Sequence, residues 1–413
     1  MTATIAASQA ALKVLYPNGE IPASIQKSFV TLNRLKKEKD FVGELMYVPI
    51  QNAYPQGSSG DLAEAQSNVF QGNYLRFALT RVSHYGVARI TGEAAEAAVK
   101  TEGAMVDLWE NETKGIASTE LAVTSTYLWG DGDGVLGQLA SAVAATTITM
   151  AAGTNMNYFE LNMTLRAVST TGLSPTLRVG GAARARVTGI NRRSGTLTFS
   201  ANLNTLITDV TATDYFVRSG DQSVGGANNA VILGIPSYVV GGATPGTLLG
   251  LNRNQDPVRL AGQSVDYTGW AMEDAVVDAS AQAGFQGIGT PTVLIANNIE
   301  VAAMKKSLGG KIEYERPGST AGVHGFSKVT IEGDNGPIEI LGDPFMKRNR
   351  AYLLKLDEFS IKSLGAWPHL GELDGLKFQR LSNADAYEVR FVSYGNTRCK
   401  NPGPHVYLQN FGA

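Results

Sequence analysis

Phe41-Val42-Gly43-Glu44-Leu45-Met46-Tyr47-Val48-Pro49-Ile50 and Tyr74-Leu75-Arg76-Phe77-Ala78-Leu79-Thr80 are two strand-like runs separated by Tyr54-Pro55-Gln56-Gly57-Ser58-Ser59-Gly60-Asp61. Leu75, Phe77 and Leu79 alternate with Arg76, Ala78 and Thr80, the two-residue period of a strand with unlike faces. The reading is a long β-hairpin with a loose tip, set within residues 40–91. A two-stranded hairpin is marginal in water by itself, so its apolar face needs a cover. That cover is either the rest of this chain or another copy of it.

Downstream, Gly92-Glu93-Ala94-Ala95-Glu96-Ala97-Ala98-Val99 opens a helix with acidic residues where the dipole favours them. Val106, Trp109, Thr113, Ile116, Val123 and Tyr127 extend an apolar stripe, interrupted by Glu120, and Gly103 and Gly115 offer bends. Unbroken to Leu128, it would run roughly 55 Å, longer than a small domain is wide, as a strut would be. Gly130-Asp131-Gly132-Asp133-Gly134 ends it. From there to Gln222 the reading is a small all-β module able to fold alone. Its five short strands are Thr146–Met150, Tyr158–Val168, Arg184–Ile190, Thr196–Ser200 and Tyr215–Arg218. This stretch contains no lysine, which reads as a domain boundary.

The remainder mixes helices (Trp270–Ala283, and one capped at Asn297-Asn298 through Leu308) with strands at Thr292–Ala296, Lys328–Glu332, Ile338–Leu341, Ala351–Leu356 and Tyr387–Tyr394. Segregated helices and strands make the fold class α+β.

Composition narrows function by exclusion. The 413 residues carry 35 Lys+Arg against 37 Asp+Glu, a formal charge of -2, which argues against a basic nucleic-acid reader. With 43% hydrophobic and 17% charged residues the chain is globular, and 46 glycines favour turns and strands. The single cysteine, Cys399, precludes an internal disulfide, and His84, His324, His369 and His405 are scattered. No secretory signal or spanning segment is legible, so the expectation is a soluble protein made in a reducing compartment.

The chemical motifs fail their context tests. Gly132-Asp133-Gly134-Val135-Leu136-Gly137 matches G-x-G-x-x-G but follows a helix, and as a calcium loop it puts Val135 where an oxygen is needed. Gly309-Gly310-Lys311 lacks the rest of a phosphate loop, and Glu313/Glu315 and Asp357/Glu358 read as solvated surface. The basic cluster Arg34, Lys36, Lys37, Lys39 reads as a solvated helix face. Arg184, Arg186, Arg192 and Arg193 read as charges blunting a strand edge, with anion contact as the other reading. No catalytic, cofactor or metal residues emerge.

The order of parts resembles the major capsid proteins of tailed bacteriophages, the Hong Kong 97-like fold. The resemblance is sharpest in three segments. The first is Leu233-Gly234-Ile235-Pro236 with Leu249-Gly250-Leu251-Asn252-Arg253 and Pro257-Val258-Arg259-Leu260-Ala261-Gly262. The second is Ile340-Leu341-Gly342-Asp343-Pro344-Phe345 with Ala351-Tyr352-Leu353-Leu354. The third is Tyr387 to Asn396 with Asn401-Pro402-Gly403-Pro404-His405.

The resemblance implies an N-terminal arm (1–39), an extended hairpin loop (40–91), and a spine helix with part of a peripheral domain (92–137). An inserted β domain (138–222), a mainly axial domain (223–356), and peripheral strands with a C-terminal tail (357–413) complete it. It implies pentamers and hexamers tiling an icosahedral shell around double-stranded DNA, without sequence-specific DNA binding, membrane or cofactor. Leu45, Tyr47, Leu75, Phe77, Leu79, Arg81, Arg34 and Lys37 would touch neighbouring copies, with hinges at Gly86, Gly92 and the Pro17–Pro22 break. Some relatives join subunits by an isopeptide bond from a loop lysine; no lysine occurs from Phe41 through Val99, so no such bond is expected here. Scaffolding and portal proteins, and a decoration or cement protein, are the implied partners, and assembly in the host cytoplasm into a virion capsid the implied location. The expected scaffold is a separate protein or absent. The competing readings are an encapsulin shell around an enzyme cargo, a β-rich tail or adhesin protein, and, last, an enzyme.

Overall fold

A computed structural model describes residues 28–93, 108–140, 142–172, 175–222, 231–308, 329–334, 336–372, 375–376, 378 and 379–411. The expected hinge at Pro17–Pro22, the helix opening at 94–107, Gly309-Gly310-Lys311 and Glu313/Glu315 lie outside them. Three six-stranded sheets and the hairpin make an α+β molecule.

The first sheet is built on Ala386–Cys399, whose 14 residues pair antiparallel with Val82–Thr91 on one side and with Phe359–Ser363 on the other. Lys36–Glu38 adds to Phe359–Ser363 in parallel. The spine helix, Leu108–Leu128, crosses this sheet at Val82–Thr91. Its 21 described residues span about 32 Å. Its C-terminal half is buried nearly all round, Glu120 included, because neighbours close over it from several sides.

The second sheet runs in the order Val135–Gln138, Tyr215–Arg218, Thr164–Val168, Ala185–Asn191, Thr196–Phe199, Thr147–Thr149. Four strands fall where the sequence places them; of the expected Tyr158–Val168 only Thr164–Val168 is strand, Met156–Tyr158 being a turn of 3-10 helix, and Val135–Gln138 is a sixth. The core of this sheet is not separate. Phe159, Leu165 and Phe216 belong to one apolar cluster with Trp129, Phe345 and Tyr352. The lysine-free stretch also continues past residue 222 to Met304, so it marks no boundary.

The third sheet orders Gln263–Asp266, Val406–Gln409, Arg350–Leu354, Val293–Ala296, Gly336–Gly342 and Val329–Gly333. Helices Met272–Phe285 and Asn298–Ser307 pack on it. Asn297 caps the second by accepting from Ile299 N–H. Val406–Gln409 returns the chain to this sheet after the long strand of the first.

The turn Asp343-Pro344-Phe345-Met346 ties these parts together. Buried Asp343 accepts from Thr31 Oγ1 at 2.5 Å, from Trp129 Nε1 at 3.4 Å and from Phe345 N–H at 2.8 Å. From the 3-10 turn between two strands of the second sheet, Asn155 Nδ2 donates to Pro344 O at 2.7 Å and Tyr158 Oη to Phe345 O at 2.7 Å. An N-terminal segment, the spine and two sheets thus meet at four residues.

Candidate intersubunit surface

The hairpin pairs Leu45–Ala53 with Asn73–Thr80, with Val48 opposite Phe77 and Ile50 opposite Leu75. Its ladder ends at Thr80, and Val82–Thr91 leaves it for the first sheet. The inner face closes on its own chain. Val48, Ile50 and Phe77 pack with Leu251 and Leu260, and Phe77 meets Tyr238 edge-on at 6.2 Å. Ala78 N–H donates to Leu249 O at 3.0 Å, and Arg259 Nη1 donates to Asn52 O at 2.8 Å. Phe77 is 1% exposed and Leu79 0%, which corrects the expectation that they contact another copy: this chain already covers them. Leu75 is half-buried on the same face.

The outer face and tip are different. Leu45 and Tyr47 are exposed, and the Arg76 guanidinium lies 4.1 Å from the Tyr47 ring centroid. Past Asn52, where Arg259 holds the hairpin, the tip carries a short helix, Leu62–Ser67, capped by Asp61. Tyr54 (75% exposed), Leu62, Val69, Phe70 (73%) and Tyr74 stand in solvent there. Such a concentration of large apolar side chains on a projection marks an interaction surface. The tip lies between the two strands that the sequence predicts; Val69-Phe70, an apolar pair inside a polar Gly/Asn/Gln loop, is the signal in the sequence for its exposed surface.

The remaining expected contacts divide. Arg34 donates to both carboxylate oxygens of Glu339, at 2.7 and 3.0 Å, so this part of the arm is held by its own chain instead of reaching across to another. Lys37 lies exposed on Lys36–Glu38. Buried Lys362 forms ion pairs with Glu38 and Asp40, fixing this segment further. Arg81 Nη1 donates to Gly43 O at 2.8 Å, closing the hairpin base.

The two expected hinges are close-packing sites. Gly86 sits within the ladder opposite Phe391, and a Cβ there would lie 2.5 Å from Glu120 Oε1. A Cβ at Gly92 would lie 2.5 Å from Asp385 Oδ1. Both glycines admit a carboxylate, and Gly86 in mid-strand has no freedom to swing.

Glu120 approaches Gly86 because it serves His84, whose Nδ1 is 2.7 Å away. His84 Nε2 faces Asp221 Oδ2 at 3.5 Å, and Asp221 also accepts from Tyr127 Oη and pairs with Arg218 at 3.7 Å. Burial alone would lower the His84 pKa, but the hydrogen bonds to Asp221 and Glu120 outweigh it and raise it to about 9. This charged junction holds the first sheet, the spine and the end of the second sheet together. The Gly-rich motif beside it is a turn: Asp133 caps Val135 N–H and holds Gly172 N–H, and Gly134 adopts φ +78° against Asp221 O. Asp357 and Glu358 pair with Lys36 and Lys355 at the surface. Among the described residues no group of His, Cys, Asp and Glu is arranged to hold a metal, and no helix is long and apolar enough to cross a membrane.

A long hairpin, a helix across the first sheet and the mixed third sheet are the parts that the capsid resemblance leads one to expect, and solved capsid structures share this fold. The chain superposes on the capsid subunit of cyanophage A-1(L) with a TM-score of 0.54 at 11% identity, covering 97% of each chain. The subunit from the capsid of a native GTA particle gives 0.51 at 9% identity, covering 99% of each. In sequence, residues 218–410 match the family described as SU10 major capsid protein, while no curated protein matches the chain. The chain therefore shares the fold of these capsid subunits, and its part from residue 218 to 410 is similar in sequence to the major capsid protein family. The match begins at the last residue of strand Tyr215–Arg218, leaving the hairpin, the spine and nearly all of the second sheet outside it.

Proposed function

We propose that this subunit assembles as pentamers and hexamers into an icosahedral shell around double-stranded DNA, and that its hairpin tip lies on a neighbouring copy without a covalent cross-link. The observation that carries this is the division of the hairpin. Its base is anchored by Leu249, Arg259 and Tyr238 of its own chain, while Tyr54, Leu62, Val69, Phe70 and Tyr74 project beyond any cover that the described residues supply. Overlap by those side chains supplies shell strength that a hairpin without lysine cannot supply through an isopeptide bond. The first sheet serves as the peripheral domain, the third as the axial domain around the five- and six-fold axes, and the second as an insertion. Scaffolding, portal and cement proteins are separate partners, and assembly takes place in the host cytoplasm.

Negative-stain electron microscopy and light scattering of the expressed chain test this. Closed particles or rings of five or six copies, dissociating to single-chain bands on a denaturing gel, are the expected result. A strict monomer whose tip resists proteolysis at Gly57–Gly60 would overturn the overlap, and higher-order bands on the gel would overturn the absence of cross-links.

A further inference from the structure

The second sheet carries an unusual concentration of one charge. Residues 138–222 hold seven arginines and no lysine against four acids, within a chain whose net charge is -2. Three of those arginines have carboxylate partners. Arg178 pairs with Asp214, Arg192 with Glu160, and Arg218 with Asp221. Arg166 is different. It lies on Thr164–Val168, next to Ala185–Asn191 in the register Thr164 to Arg186 and Leu165 to Ala185. Continued by one residue, that register sets Arg184 opposite Arg166, with Arg186 on the same face. Like charges directly across a ladder repel. No carboxylate stands against Arg166 among the described residues, and its Nε is sealed from solvent without a hydrogen-bond partner. Burial and the Arg184 charge both lower its pKa. Stranding a guanidinium N–H beside a second guanidinium costs stability unless something else occupies the space between them.

We propose that Arg166 and Arg184, with Arg186 beside them, form an anion site that takes a phosphate group. Planar guanidinium forks match the oxygens of a phosphate in paired, charge-assisted hydrogen bonds, and Arg184, exposed where Arg166 is half-buried, is the side from which the anion enters. Arg186 already donates to Asn162 Oδ1 at 2.6 Å, which orients it along the same face. The shared chemistry admits a free phosphate ion or the phosphodiester of a nucleic-acid backbone. The site itself does not depend on the shell reading.

The test is a titration of the unassembled full chain with inorganic phosphate, and separately with a short DNA duplex, at ionic strength held constant with chloride. Binding is followed by 31P line width and by thermal denaturation. Wild type is expected to bind, and Arg184→Gln and Arg166→Gln each to weaken binding by about tenfold or more. Arg166→Gln is also expected to be no less stable than wild type in chloride, because it removes the repulsion and the stranded donor. A duplex that binds through the same residues identifies nucleic acid as the source; a response to phosphate alone identifies the free ion. Equal binding by wild type and Arg184→Gln, an exposed position whose change leaves the core intact, would overturn the site. So would an Arg166→Gln chain that is destabilised in chloride, since Arg166 would then be structural.

Discussion

The carboxylate of Glu120, in the middle of the spine helix, lies 2.7 Å from Nδ1 of His84 on the neighbouring strand, and the space it occupies is left by the missing side chain of Gly86. Asp221 completes the arrangement from the far end of the second sheet. One imidazolium is therefore the common counter-ion of two elements that are far from it in sequence.

That arrangement fixes a pH dependence. Because the folded pKa of His84 is raised to about 9 from 6.5, its contribution is fully present below pH 6.5 and is lost as pH rises through about 9. The amount is on the order of 3 kcal/mol. His405 acts with the opposite sign. Buried between Cys399, Phe359 and Lys355 N–H, it is held neutral by burial with a pKa lowered to about 3, so stability falls as pH drops below 6.5. Urea denaturation of the unassembled chain should show greatest stability near pH 6.5, and His84→Gln should flatten the alkaline limb. An unchanged alkaline limb in that variant would refute the junction.

Gly86→Ala should destabilise the chain by about 1–3 kcal/mol, because the new methyl meets a carboxylate held in place by His84. Glu120→Ala in the same chain should recover part of the loss to the extent that the clash is relieved. A hinge glycine would behave otherwise, giving slower motion with little change in equilibrium stability.

Asp343→Ala removes the acceptor shared by Thr31, Trp129 and the Phe345 amide, leaving buried donors unsatisfied, at a cost of roughly 2–5 kcal/mol. Trypsin should then cut at Arg34 and Lys36 well before the body of the chain, since the segment loses its anchor. Uniform digestion at wild-type rates would show that the segment is held elsewhere.

The hairpin separates folding from assembly. Phe77→Ala should cost about 3–5 kcal/mol in the unassembled chain, whereas Phe70→Asp at the exposed tip should leave its stability within about 0.5 kcal/mol and abolish closed particles. If Phe70→Asp assembles normally, the tip is not the contact.

The sequence reading succeeded where structure is local. Alternation in Leu75, Phe77 and Leu79 gives a strand with one apolar face, and four strands of the second sheet and the end of a fifth follow from their own composition. What covers a face is not local. Phe77 is covered by Tyr238, Leu251 and Leu260, some 160 to 185 residues on, so its pattern reads the same whether the cover is this chain or another. Glu120 looks like a break in an apolar stripe because its partner, His84, is 36 residues away. Val135–Gln138 is hidden by the glycines at 134 and 137, of which Gly134 is needed for the turn and Gly137 for Thr154 to approach. At the tip the signal is two apolar residues in a polar loop, too short a run to stand out beside the alternation of the strands that flank it.

The pairing of Val82–Thr91 with Ala386–Cys399 joins segments about 300 residues apart. At a synthesis rate of about 5–20 residues per second, the earlier strand emerges some 15 to 60 seconds before its partner exists. During that interval its backbone donors and acceptors face an open edge, and the apolar hairpin just ahead of it has neither Leu251 nor Leu260 to rest on until those residues are made. Neighbouring chains emerging from one message thus display sticky, half-built surfaces to each other throughout translation. If this chain assembles with copies of itself as proposed, it is most exposed to wrong association before it is finished, and chaperone protection during synthesis bears directly on its yield.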